Sequence, residues 1–253
     1  MSFFYVIILG IVQGLTEFLP VSSSGHMMLV DKLFGMKESN LVMSVFMHVA
    51  TLLAVVIVFR KEVWALIRHP FCDEAKKIYL SFIPTCALVL VIKTISPACF
   101  NGSYLGFFFM LTAVLLVAAD LFSLRQQSFA PLKKSSAFVM GIAQGFACIP
   151  GLSRSGTTIA AGLMLGENRE ECARFSFLMS IPVILASLCY ELIFDGGAVA
   201  FKDNILQILV GFLVAFLVGM LAIKFMLKII KKRKFVWFSV YLVIISILTL
   251  IFF

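Results

Sequence analysis

Residues 13–26 read QGLTEFLPVSSSGH, which places a carboxylate (Glu17), three hydroxyls (Ser22, Ser23, Ser24) and an imidazole (His26) inside an otherwise apolar N-terminal region. An ionisable group at bilayer depth costs roughly 2.5 to 3.5 kcal/mol on insertion scales, so such groups need partners or water and mark a functional site by default. A second stretch, residues 144–157, reads QGFACIPGLSRSGT. A shift of 131 positions lays Gln144 on Gln13, Gly145 on Gly14, Ser153 on Ser22, Ser155 on Ser24 and Gly156 on Gly25. The chain therefore carries an internal repeat whose polar chemistry differs between copies: Cys148 stands opposite Glu17, Arg154 opposite Ser23, and Thr157 opposite His26. One copy offers acid and base; the other offers a cation.

At 253 residues, 62% hydrophobic and 13% charged, with a mean hydropathy of +1.08, the chain is too apolar for a water-soluble globule and reads as a polytopic membrane protein. The N-terminal MSFFYVIILG lacks the basic leader and small-residue cleavage site of a secretory signal, so it is expected to be part of the fold. The net charge of +8 comes from Lys and Arg clustered between hydrophobic segments. Such clusters set orientation and touch anionic headgroups, which argues for membrane lipids and against nucleic acid as partners. The six cysteines show no CxxC spacing and read as small packing residues, with neither a disulfide framework nor a zinc site expected.

Charge-poor runs predict six spans, near residues 39–59, 78–92, 104–120, 175–192, 205–223 and 235–253. The two repeat stretches are left over. Each lies in an apolar segment broken by Gly, Pro and Ser, and non-helical backbone at that depth is tolerated only inside protein or against a water-filled cavity, so both read as re-entrant helical hairpins (3–30 and 135–165). Cations crowd three loops, one from Arg60 to Lys77, one with Arg125, Lys133 and Lys134, and one from Lys224 to Lys234. The positive-inside rule makes these cytoplasmic and puts the loops at 31–38, 93–103 and 195–204 outside. Three spans, an odd number, separate the hairpins. The fold expected is thus an all-α polytopic membrane domain of two inverted-topology repeats, 1–130 and 131–253.

Inverted repeats with broken helices place a site near the midplane, where helix N-termini face an anion. Ser22, Ser23, Ser24 and Gly25 with Ser153, Arg154, Ser155, Gly156, Thr157 and Thr158 offer backbone N–H groups, hydroxyls and one guanidinium, the chemistry of a phosphate cradle. A single serine-rich tip would read as close helix packing, but two in register point to a ligand. Glu17 can hold a divalent cation or act as a base, and His26 is suited to proton exchange near neutral pH. His48, beside Thr51 in a span, and His69, in a basic loop, read as structural, and Asp120 is expected to reach the interface.

These residues resemble the undecaprenyl-pyrophosphate phosphatases, also called bacitracin-resistance proteins. Their first motif, Glu or Gln followed four residues later by Glu, matches Gln13 and Glu17; their second, PGxSRSxxT, matches Pro150 to Thr158. The resemblance spans essentially the whole chain. It implies hydrolysis of undecaprenyl pyrophosphate to the monophosphate on the outer face of the bacterial inner membrane, with a divalent metal such as Mg²⁺ or Ca²⁺, recycling the lipid carrier for cell-wall synthesis. Carried over by residue, it implies catalytic roles for Glu17 and His26, a substrate or nucleophile role for Ser23, a pyrophosphate clamp in Arg154, and metal contacts from Glu17 and Gln13. Gln13 holds an amide where some members have a carboxylate, which leaves one fewer anionic ligand. The attacking group is left open between Ser23, His26 and metal-activated water. A homodimer is compatible with the sequence. From inverted repeats alone, a transporter or flippase of polyprenyl phosphate is the alternative.

Overall fold

In the computed structural model, residues 2–36, 41–123, 131–194, 205–231 and 235–252 are described, and their regular structure is helical throughout. Arg125, the cations at 232–234 and the expected outer loop at 195–204 lie outside these residues. In chain order the helices are α1 (Phe3–Thr16), α2 (Ser23–Leu33), α3 (Leu41–Val58), α4 (Arg60–Arg68), α5 (Asp73–Ile95), α6 (Leu105–Ser123), α7 (Lys134–Phe146), α8 (Arg154–Met164), α9 (Arg169–Phe194), α10 (Ile205–Ile230) and α11 (Phe235–Phe252), with one 3₁₀ turn at Pro97–Phe100.

The six expected spans correspond to α3, α5, α6, α9, α10 and α11. Among the described residues five helices are long and apolar enough to cross a bilayer, or six when α3 and α4, bent by 85° at their junction, count as one. The protein is a multi-pass membrane protein. Several helices outrun their expected ends, α5 starting at Asp73 and α10 reaching Ile230. Charged residues end the apolar stretch but not the helix, because Lys, Glu and Arg are good helix formers once the chain has left the hydrocarbon. For the same reason the basic segment read as a loop holds α4, whose RKEVWALIR buries none of its residues and exposes Trp64 and Ile67 beside Arg60, Lys61 and Arg68. This is the pattern of a helix lying in the bilayer interface.

The two segments expected to form hairpins each hold a pair of helices too short to span. At 1.5 Å per residue, the 14 residues of α1 and 11 of α2 extend about 21 and 16 Å, against a hydrocarbon core of about 30 Å. Packing treats the two copies alike. Helix α1 lies mainly on α10 and α7 mainly on α5, so each hairpin leans on the other half of the chain, while α6 pairs with α11. Both hairpin helices present glycines at the closest approach: a Cβ at Gly14 would sit 2.7 Å from the Ala215 carbonyl, and one at Gly141 would overlap the backbone of Ser81. Small residues let helix backbones approach where lipid removes the usual hydrophobic drive.

A hydroxyl–carboxylate bond ties the two ends of each segment, its donors Tyr5 and Ser136 standing 131 positions apart. Tyr5 donates to Asp31 at 2.6 Å in the first copy, and Ser136 donates to Glu167 at 2.5 Å in the second. Asp120, near the end of α6, is paired there. It accepts from Arg169 at 2.7 Å and from the Phe235 backbone N–H at 2.9 Å, which ties α6 to α9 and caps α11. Three ion pairs bind the halves at the basic end, Asp120–Arg169, Glu74–Arg174 and Asp73–Lys134.

Candidate active site

The site is built where the hairpin tips meet. Ser23 is the first residue of α2 and Arg154 the first of α8, positions 131 apart, so two helix N-termini converge with their free N–H groups and positive dipole ends. Ser22 caps α2 with its hydroxyl, which accepts from Gly25 N–H at 3.4 Å, and its φ of 72° puts a non-glycine residue in the left-handed region. Such strain persists where surrounding contacts hold it. Here those contacts come from the other tip: Gly151 N–H donates to Ser22 Oγ at 3.1 Å, and Ser155 Oγ donates to the Leu19 carbonyl at 3.1 Å.

Beside the tips lies a cavity of about 160 Å³ lined by Glu17, Ser23, Ser24, His48, Cys148 and Arg154, with Val183, Ile184, Ser187 and Leu188 of α9 completing the wall. Glu17 is its centre. Arg154 Nη2 donates to one carboxylate oxygen, and the other accepts from Ser23 Oγ at 2.5 Å and Gln13 Nε2 at 3.1 Å. A buried carboxylate is tolerable only with this degree of pairing. The arrangement aligns a serine hydroxyl on a potential base, next to a guanidinium whose Nη1 is buried without a partner. The carbonyl Oε1 of fully buried Gln13 is likewise unpartnered. Among the described residues no cluster of three or more His, Cys, Asp and Glu is present. The oxygen donors available to a hard cation are therefore the Glu17 carboxylate, the Gln13 carbonyl and the tip hydroxyls.

The structure brings Glu17, Ser23, Ser24 and Arg154 together as expected and places other candidates elsewhere. His26 does not line the cavity. Its Nδ1 lies 2.7 Å from the Ser22 carbonyl and its Nε2 2.7 Å from Tyr241 Oη, with the ring stacked on Tyr241 and edge-on to Phe109. A carbonyl can only accept, so Nδ1 carries the proton, the tyrosine donates to Nε2, and both nitrogens are spent. The ring thus links the Ser22 carbonyl to Tyr241 of α11.

Most of the anticipated cradle is also engaged internally. Ser153 caps α8 through Gly156 N–H at 3.1 Å, and Thr158 bonds to Arg154 O at 2.8 Å and to Ser176 Oγ at 2.7 Å. A Cβ on Gly25 would meet Phe109 at 2.7 Å. Thr157 Oγ1 alone among these hydroxyls is buried without a partner. These bonds tie the two tips to each other and to their neighbours.

His48 is the converse case, read as structural and found in the cavity wall. Its i, i+4 spacing to Ser44 anticipates the bond from Nδ1 to the Ser44 carbonyl at 2.8 Å, but nothing local announces which neighbour its other nitrogen meets. A second, larger cavity of about 420 Å³ shares Cys148, Val183 and Ser187 with the first and is walled by Val89, Leu90, Phe100 and Tyr190. Lys93 stands at its side, with Nζ 4.0 Å from the Tyr190 ring centroid.

With this geometry in place, comparisons with known proteins become informative. Residues 6–248 match the family described as bacitracin resistance protein BacA. The chain is 39% identical over 254 residues to a protein of Carboxydothermus hydrogenoformans named undecaprenyl-diphosphatase, covering 99% of this chain and 97% of that one. Proteins of the same name from Bacteroides fragilis (39% over 263 residues, 99% and 98% covered) and Methanococcus vannielii (35% over 244 residues, 93% and 94% covered) are similar along nearly their whole length. A match this extensive, over a chain whose two motifs meet at one cavity, means that the protein belongs to the BacA family.

Proposed function

We propose that this protein hydrolyses a polyprenyl pyrophosphate, undecaprenyl pyrophosphate by the names of its relatives, to the monophosphate and inorganic phosphate, returning a lipid carrier to cell-wall synthesis. The observation that carries the reading is the 2.5 Å hydrogen bond from Ser23 Oγ to Glu17 with Arg154 on the same carboxylate. A transporter of the same headgroup needs the cation and the N–H groups, but has no use for a serine aligned on a carboxylate. The larger apolar cavity adjoining the site suits the first isoprene units of such a substrate.

In the mechanism this supports, Ser23 Oγ attacks the terminal phosphorus while its proton passes to Glu17. The bridging P–O bond breaks, and its electron pair leaves with the lipid monophosphate. The α2 and α8 N-termini and the spare Nη1 of Arg154 hold the charge on the phosphoryl oxygens. Phosphorylated Ser23 is then hydrolysed by water. A hard divalent cation, Mg²⁺ or Ca²⁺, would take oxygen donors of this kind, and Glu17 with the unpartnered Gln13 carbonyl are the residues that would hold it. When bound it neutralises pyrophosphate charge. The purified protein is expected to release phosphate from a long-chain polyprenyl pyrophosphate and to lose that activity in excess chelator, with Gln13→Glu tightening the apparent metal affinity. No release under any metal condition would overturn hydrolysis, and full activity in chelator would remove the metal alone.

We further propose that the two halves are inverted in the membrane, with the site open to the outer side of the bacterial inner membrane. The exposed cations of α4, Arg60, Lys61 and Arg68, support a cytoplasmic position for that end. A cysteine at Arg68 should stay unlabelled by an impermeant thiol reagent in intact cells; labelling there would reverse the orientation.

A further inference from the structure

We propose that His48 is the general base of the second half of the reaction, taking the proton of the water that hydrolyses phosphorylated Ser23; this role rests on the Ser23 mechanism above. The geometry narrows the choice. The cavity that holds Glu17, Ser23 and Arg154 must also receive an attacking water, and its volume of about 160 Å³ is well above the roughly 10–15 Å³ that one water needs. Its ionisable lining consists of Glu17, Arg154, Cys148 and His48; Ser23, Ser24 and Ser187 are hydroxyls, and α10, which packs against α3, contributes no residue to the wall.

Three of these four are unsuited to the task. Arg154 is a guanidinium and accepts nothing. Glu17 has both oxygens engaged and, after the first step, already carries the serine proton. Cys148 turns its thiol to the Gln144 carbonyl at 3.5 Å. His48 differs: the Ser44 carbonyl at 2.8 Å holds the proton on Nδ1, which makes Nε2 the nitrogen with the lone pair, on a residue that lines the cavity. No hydrogen bond joins the ring to Glu17 or Gln13 among the described residues. His26, the buried imidazole at the tips, has no free nitrogen.

The step balances as follows. The water oxygen bonds to phosphorus, the P–Oγ bond breaks with its electron pair on Oγ, Glu17 returns its proton to Oγ, and His48 Nε2 takes the water proton and then gives it to solvent as inorganic phosphate departs. The base therefore serves the second step and is dispensable in the first.

The test is His48→Ala in detergent, with substrate labelled on the terminal phosphate and an unfolding curve to verify the fold. A burst of about one lipid monophosphate per chain is expected, followed by turnover about 10²- to 10⁴-fold below wild type, the usual span for a positioned base. The label should remain on Ser23, and added imidazoles should restore turnover in order of their basicity, which a packing defect would not produce. Multiple turnover at the wild-type rate, a folded variant without a burst, or label on His48 in the wild-type protein would each overturn the proposal. If the alanine chain does not fold, His48→Gln, which keeps the side-chain volume, is read by the same burst and label. Ser23→Ala separates the two layers. If it turns over normally, the Ser23 mechanism falls and this base with it; if it is dead while His48→Ala is normal, only the His48 role falls.

Discussion

Glu17→Gln is expected to lower kcat by on the order of 10³- to 10⁴-fold, measured as phosphate release from a long-chain polyprenyl pyrophosphate in detergent. The amide keeps the shape of the carboxylate but cannot take the Ser23 proton, and a positioned base alone is worth about 10²- to 10⁴-fold. It also removes the charge opposite Arg154, whose side chain is only 14% exposed. Truncating one partner of a buried pair leaves the other charge uncompensated, so the folded protein should lose stability in the absence of ligand. Pyrophosphate would supply the missing anion. The variant should therefore gain more thermal stability from added pyrophosphate than the wild type does, even though it cannot turn over substrate. A Glu17→Gln protein with kcat within tenfold of wild type would remove Glu17 as the base.

Arg154→Lys tests the other side of the pair and is expected to reduce kcat by about 10²- to 10³-fold, equivalent to about 2.7 to 4 kcal/mol for loss of a preorganised donor to developing charge. In the structure one terminal nitrogen of the fork is taken by Glu17 and the other is buried without a partner. The planar fork can hold the carboxylate and a phosphoryl oxygen at once, whereas a lysine ammonium, a compact charge on a flexible stem, cannot reproduce both bonds in fixed geometry. The loss should fall on kcat more than on KM, since the helix N-termini and the apolar cavity still bind the ground state. Near-native kcat in a folded Arg154→Lys protein would reduce Arg154 to a source of general positive potential.

Both predictions rest on residues that the sequence exposes without help. Gln13, Glu17, Ser23 and Arg154 are visible because polar groups in an apolar chain are costly, and because the 131-residue repeat sets Ser23 and Arg154 at equivalent helix starts. The six long helices are visible through continuous hydropathy, and the broken tips through Gly, Pro and Ser. The interfacial helix α4 is not legible as a span, since its nine residues are too charged. Its amphipathic pattern was the available signal.

What the sequence determined by itself is therefore the membrane class, the two tips and the groups that meet on Glu17. Only the tertiary structure decided which of the remaining polar groups face the cavity. His26 and His48 each send Nδ1 to the carbonyl four residues earlier, a local bond that their helices dictate. The fate of the second nitrogen is not local. Tyr241, 215 residues away, closes the ring of His26, whereas the approach of α9 beside the tips leaves His48 in the wall of the cavity. The serines divide in the same way: Ser22 and Ser155 turn inward because Gly151 and the Leu19 carbonyl of the opposite tip meet them, while Ser23 meets Glu17. Helical periodicity orients a side chain on its own axis, but the partner it finds depends on how closely the glycine-faced helices α1 and α7 settle onto α10 and α5.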